Sequence, residues 1–315
     1  MPGVSGQTCR GYRWAEVQAA DAALETSVIR YLLILGMLVV GCTRASSPEV
    51  PVLRFTAIPD QNTTLLKTKF DPIAAYLSEI LDVPVQYVPA MDYSASVEMF
   101  KNGDIQLAWF GGLTGVQARA AVSGARAIAQ GAEDPQYKSY FIAHVSTGLE
   151  RSSEFPSAIK DLSFTFGSEA STSGRLMPEF FIREYSGGDL ASFFSAQPGF
   201  SGAHDKTAKL VESGAVDAGV LSYKTFDSLV ERGKIDPAKA KIIWETPPYA
   251  DYNFTAHPSL DSTHGADFTD KLQAALIGMT RRDLLQAFPR SAIIKAQNTD
   301  FERIETIAKN LKMMR

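Results

Sequence analysis

Two parts of this chain echo one another, and that constrains its fold more than any single motif. Leu53-Arg54-Phe55-Thr56 is matched by Leu162-Ser163-Phe164-Thr165, and Met99 to Ala108 (MFKNGDIQLA) by Leu210 to Gly219 (LVESGAVDAG). Both echoes lie about 110 residues apart, as two similarly built units would place them. Chance likeness between generic βα units is the competing explanation. Around the first echo, strands are predicted at 52–58, 83–88, 104–110 and 127–130, and helices at 70–81, 93–100 and 113–122. Phe70, Ile73, Ala74, Leu77, Ile80 and Leu81 form one helical stripe, with Pro72 in its first turn. Around the second, strands are predicted at 140–145, 164–166, 192–197, 216–221 and 241–244, and helices at 175–185, 203–213, 272–279 and 301–311. Strands alternating with helices predict an α/β fold with a largely parallel sheet. The expected lobes are 52–143 with 247–315, and 144–246.

The bulk numbers narrow the class. With 45% hydrophobic and 21% charged residues the chain is globular rather than disordered. A net charge of -4 gives no electrostatic footprint for nucleic acid, so any bound anion must be held locally, against the overall sign. The two cysteines, Cys9 and Cys42, both precede the first predicted strand. The folded part therefore has no disulfide and no Cys-rich metal site, and no cofactor is expected.

Residues 1–41 read as a leader. Its apolar run, Tyr31 to Val40, follows Arg30 and is too short to span a bilayer as an ordinary helix. Val39-Val40-Gly41-Cys42 resembles the bacterial lipobox, which implies a lipidated Cys42, a membrane-lipid partner and a cell-envelope location. A plain secretory signal with an incidental cysteine is the alternative. Residues 42–51 read as a tether, and 1–27 are left out of the fold.

The chemistry concentrates at Phe164-Thr165-Phe166-Gly167-Ser168-Glu169-Ala170-Ser171-Thr172-Ser173-Gly174. A strand that stops at hydroxyls on a helix N-terminus makes an anion site, because the first helical N–H groups lack internal partners and the dipole is positive there. The same residues also suit an ordinary N-cap. His204, in another first helical turn, is expected to be a neutral donor, its charged form disfavoured by the dipole; a solvated histidine is the alternative. Tyr93, Trp109 and Phe110 follow strands at the sheet's ligand-binding edge, where they either wall a pocket or pack the core. Thr246 to Phe254 is a stiff aromatic loop where hinge and cleft should meet.

Together, Asp92-Tyr93, Asp104 to Gly111, the Ser171-Thr172-Ser173-Gly174 turn and Ser201-Gly202-Ala203-His204-Asp205 resemble, in order and spacing, the phosphonate- and phosphite-type ABC-transporter solute-binding proteins. Gly-Ala-His-Asp and Pro-Pro-Tyr-x-Asp-Tyr-Asn are similar to the branch labelled selenate transporter. The resemblance implies a type II periplasmic-binding-protein fold, two α/β lobes joined by a two-strand hinge. It also implies a small oxyanion in the cleft, a permease partner, a monomer and no catalysis. Tyr93, Ser171, Thr172, Ser173, His204 and Asp251 are the implied contacts, and Phe110 is added as a wall. One departure matters: aminophosphonate binders carry an acidic residue where this chain has Ser222-Tyr223-Lys224, which argues against 2-aminoethylphosphonate.

If Asp251 faces the ligand as a carboxylate it can only accept, so the ligand must bring a proton. Phosphite, phosphonates and phosphate can do so near neutrality; sulfate and selenate cannot. Pairing of Asp251 with a hinge group is the alternative. A hydrolase using Ser173, His204 and Asp251 as a triad is a second reading, weakened by the lack of a Gly-x-Ser-x-Gly elbow. A sensor domain is a third.

Overall fold

The computed structural model describes residues 50–314; Cys42 and the leader lie outside them. Among the described residues no helix is long and apolar enough to cross a membrane. Among the described residues eleven strands form two sheets. The first holds β1 (Leu53–Ala57), β2 (Val85–Tyr87), β3 (Leu107–Phe110), β4 (Arg126–Gly131), β10 (Asn253–Ala256) and β11 (Ile293–Lys295), in the order β11-β4-β10-β3-β1-β2. The second holds β5 (Ser139–His144), β6 (Phe164–Phe166), β7 (Gly199–Phe200), β8 (Ala218–Ser222) and β9 (Ala240–Glu245), in the order β7-β6-β8-β5-β9.

The strand orders superpose: β2-β1-β3-β10-β4 corresponds to β7-β6-β8-β5-β9. The echoed segments fall on equivalent elements, β1 with β6, and β3 with β8. The expectation of largely parallel sheets is corrected. β1 runs parallel to β2 and β3, and β6 to β7 and β8, but β10 is antiparallel to β3 and β4, and β5 to β8 and β9. The reason is connectivity. β5 and β10 are the first strands after each passage between sheets, so each enters from the hinge edge, where the parallel strands end.

The passages are 132–138 and 246–252, which moves the first crossing ahead of the expected residue 144. They pair through Tyr137 and Tyr249, whose N–H and C=O groups exchange bonds of 2.8 and 3.0 Å, and the Asp251 N–H reaches the Asp134 carbonyl at 3.1 Å.

Helix α1 (Thr63–Leu81) begins earlier than its apolar stripe suggested, because the Asn62 side chain accepts from the N–H groups of Thr64 and Leu65 and caps it there. Pro72 therefore lies in the helix interior, on an exposed face, and not in the first turn. Helices α2 (Tyr93–Lys101) and α3 (Gly112–Ala121) follow β2 and β3. The strand expected at 192–197 is a helical turn, Leu190–Phe193, capped by Asp189. Its neighbour Phe194 looked strand-like because it is core, its ring 5.1 Å from that of Phe164.

Candidate functional site

The hydroxyl turn after β6 is built by two backbone constraints. The Gly167 N–H donates to the Gly174 carbonyl at 2.8 Å. Pro178 has no N–H, so that carbonyl has no helical donor four residues on and is free to accept from Gly167. The chain accordingly coils through Thr172–Leu176 as a wide π-turn before helix α4 (Met177–Ser186) begins. Ser171 stays extended and its Oγ accepts from the Gly174 N–H at 2.9 Å. A Cβ on residue 174 would sit 3.1 Å from the Gly167 Cα and 3.2 Å from His204 Cε1, so only glycine lets these segments touch without displacement. Ser171, Thr172 and Ser173 are all buried.

His204 opens helix α5 (His204–Glu212) and is 1% exposed. Its backbone N–H donates to the Asp60 carbonyl of the first lobe at 3.1 Å. Its Nδ1 accepts from the Ser222 N–H at 3.3 Å, which leaves the ring proton on Nε2, 3.5 Å from Ser173 Oγ. Burial pushes the imidazole pKa down to about 3. A neutral donor was expected from the helix dipole; desolvation is the cause here.

Asp251 lies on the second passage between the sheets. Its Oδ1 accepts from the Gly112 N–H at the start of α3 at 2.9 Å, and its Oδ2 is buried with no partner. Burial raises its pKa to about 7, against the smaller opposing effects of the Gly112 N–H and the Thr172 hydroxyl. The next N–H of the same helix, that of Leu113, donates to Thr172 Oγ1 at 3.0 Å, so the second lobe's turn is docked on the first lobe's helix N-terminus. Tyr93 is the first residue of α2, with a buried and unpartnered hydroxyl. Burial pushes its pKa well up; Asp60 and Asp251 add to that and the Ser171 hydroxyl opposes it, which sets the phenol at the cradle.

Six of the seven residues singled out from sequence are thus brought together. Phe110 is not: its ring is fully buried and packs edge-on against Phe100 at 5.6 Å, inside the first lobe. What β3 presents to the cleft is the backbone after it. Gly111 carries no side chain where a Cβ would lie 3.0 Å from Thr172 Oγ1, and Gly112 supplies its N–H. Trp109 serves the hinge, stacked on Tyr252 at 5.5 Å. Sequence reasoning missed Ser139, whose Oγ donates to the Ser173 carbonyl at 2.7 Å and also meets the Tyr249 hydroxyl. Ser222, read only as part of the Ser222-Tyr223-Lys224 departure, is bonded to the Tyr137 hydroxyl. Small hydroxyls at the two strand ends that pair across β5 and β8 were the available signal. Among the described residues no group of His, Cys, Asp and Glu can hold a metal ion.

Two α/β lobes, crossed twice and closed on buried, unpartnered polar atoms, define a two-lobe solute-binding protein. The chain belongs to the family described as "ABC transporter, phosphonate, periplasmic substrate-binding protein", whose model matches residues 55–301. It is 37% identical over 277 residues, 86% of this chain and 92% of the relative, to the "Probable ABC transporter phosphite binding protein PhnD1" of Prochlorococcus marinus. It is 31% identical to the "Phosphate-import protein PhnD" of Mycolicibacterium smegmatis, over 73% of this chain and 72% of that one. The solved structure of the Prochlorococcus protein with methylphosphonate matches with a TM-score of 0.79, covering 84% of this chain and 99% of that one. A binding-protein component of a Pseudomonas aeruginosa phosphonate transporter, 20% identical with a TM-score of 0.70 over 82% of this chain and 85% of that one, shares the fold.

Proposed function

We propose that this ABC-importer substrate-binding protein captures a small tetrahedral phosphorus oxyanion that still carries one proton: phosphite, a small phosphonate or phosphate. Ser171, Thr172, Ser173, Tyr93 and Nε2 of His204 donate to its oxygens, and Asp251 Oδ2 accepts the ligand proton. The carrying observation is that orphaned, buried carboxylate oxygen, 1% exposed at the residue level, among hydroxyls and an imidazole N–H that can donate to a ligand. The relatives named for phosphite binding and phosphate import, and the structure solved with methylphosphonate, support the same class. Calorimetric titration of the purified protein with phosphite, methylphosphonate, phosphate and selenate is the test. Saturable binding of a phosphorus oxyanion with at least about tenfold preference over selenate is expected. Selenate binding as tight as phosphite binding would favour the selenate alternative and refute the proton-reading role.

The hydrolase reading has less support. Nδ1 of His204 is an acceptor, so Nε2 already holds its proton and cannot take one from Ser173; Asp251 engages the Gly112 N–H and not the imidazole. The protein works as a monomer that hands its ligand to a permease, with the lobes closing around it because both contribute contacts. Cys42 anchors it by lipid to the cell envelope. Cys42→Ser is expected to move the protein from the membrane to the soluble fraction; unchanged fractionation would refute the anchor.

A further inference from the structure

A groove of about 890 Å³ opens between the lobes beside the hinge, bounded by α1, by helix α6 (Tyr223–Glu231) and by the segment 280–291. Four cations line it: Arg290, which is buried and taken up by Asp134, and three others, Lys69 from the first lobe, half-buried, Arg232 from the second, and Arg282 from the first, both exposed. Among the described residues none of the three forms an ion pair. Lys69 Nζ donates to the neutral Gln61 Oε1 at 3.3 Å, and Arg232 Nε to its own helix at Ser228 O at 3.0 Å. Lys69 and Arg232 are close enough across the lobes for the arginine charge to help depress the lysine pKa, behind burial and against Asp60. Of the groove's acids, Asp283 is taken up by Arg281 at 2.6 Å, leaving Glu231 as the counter-charge.

The groove continues inward. Ala287, Pro289 and Arg290 also line a vestibule of about 10 Å³, room for about one water, whose other walls include Tyr137, Tyr252 and Asp60. Asp60 is the residue whose carbonyl holds the His204 N–H, and Tyr252 adjoins Asp251, so the vestibule abuts the candidate site. In this closed form it is pinched. Lys69 and Arg232 also place two like charges at the mouth, an arrangement that costs free energy unless the same charges serve a function.

We propose that this groove is the path by which the oxyanion reaches the cleft, and that Lys69, Arg232 and Arg282 accelerate its capture. A protein of net charge -4 repels anions at long range, and a cleft lined by one sign of charge focuses the field locally and raises the encounter rate. The inference rests on the functional reading above, since it concerns the same ligand.

The test is stopped-flow association with phosphite, methylphosphonate and phosphate, followed by the intrinsic tryptophan fluorescence to which Trp109 at the hinge contributes. The triple variant Lys69→Gln, Arg232→Gln, Arg282→Gln is expected to associate about tenfold more slowly at low ionic strength, with an unchanged dissociation rate and a flatter salt dependence. The control triple Lys239→Gln, Lys271→Gln, Lys295→Gln alters the net charge equally at exposed positions that do not line the groove, and should associate within about twofold of the parent. Equal association rates for the parent and the groove triple, or equal slowing in both triples, would overturn the path alone. A parent that binds none of phosphite, methylphosphonate and phosphate would overturn the functional reading and the path with it.

Discussion

Replacing Asp251 with asparagine is expected to weaken phosphite and methylphosphonate binding about ten- to a hundredfold at mildly acidic pH, and to strengthen sulfate and selenate binding. The loss corresponds to one hydrogen bond to a charged group, about 1.5–3 kcal/mol. Oδ2 is the buried acceptor left open in the site, and an asparagine amide turned to it would offer a donor to an oxygen that itself needs an acceptor. The asparagine protein should prefer the fully ionised ligand. Its affinity for phosphite should therefore rise with pH over the range where the parent's falls.

The proton count fixes the sign. Asp251 has a pKa of about 7 in the closed form against 3.8 ordinarily, so the closed empty form holds more protons than an unfolded or open one between those values. That form loses stability as pH rises from about 4 to about 7, because the carboxylate must then ionise where it is buried. A ligand that brings its own proton removes the conflict. Sulfate and selenate bring none, so their binding to the parent should improve as pH falls through this window, by up to about tenfold per unit, and this slope should vanish in Asp251→Asn. His204, held neutral down to about 3, resists closure at low pH in both proteins alike, so the ratio of the two isolates Asp251. Calorimetry at several pH values measures it, and identical pH profiles for parent and variant would show that Asp251 does not read the ligand proton.

The parts of the site that could be read in the sequence are those whose chemistry is local. Three consecutive hydroxyls after a strand, and a histidine in a first helical turn, announce donors through positions only a few residues apart. The π-turn was hidden because it depends on Gly167 reaching the Gly174 carbonyl that Pro178 leaves free, a pairing that helical periodicity cannot express. Phe110 was misassigned because every residue of β3 is buried, so alternation along the strand does not say which face meets the cleft. Strand direction was lost for a similar reason: nothing within Ser139–His144 or Asn253–Ala256 records that each arrives from the other lobe. Contacts such as Asp251 with Gly112, 139 residues apart, leave no local trace.

The hinge pair is the extreme case, and breaking it carries the largest expected stability effect. Arg290 donates from Nε and Nη2 to Asp134 Oδ1 at 2.9 and 2.7 Å across 156 residues, with the arginine 7% and the aspartate 0% exposed. The guanidinium lies 5.0 Å from the ring centroids of both Tyr137 and Tyr252 and 5.8 Å from that of Trp109. Burial is the largest single effect and lowers its pKa, but the Asp134 charge and hydrogen bonds, with Tyr137 and Tyr252, together outweigh it and hold the group above its ordinary value, so it stays charged. Asp134 and Tyr137 sit on the first passage between the lobes and Tyr252 on the second, so one side chain clamps both. Arg290→Met removes the cation and leaves a buried carboxylate unpaired, a loss of about 3–5 kcal/mol, which for a chain of this size lowers the melting temperature by roughly 10 °C. Adding Asp134→Asn should restore much of it, because the amide is uncharged and its oxygen can still accept from the Gly131 N–H now 2.7 Å from Oδ2. Thermal unfolding of the parent, the single and the double variant decides the matter. A single variant as stable as the parent, or a double variant no better than the single, would show that the pair does not hold the hinge.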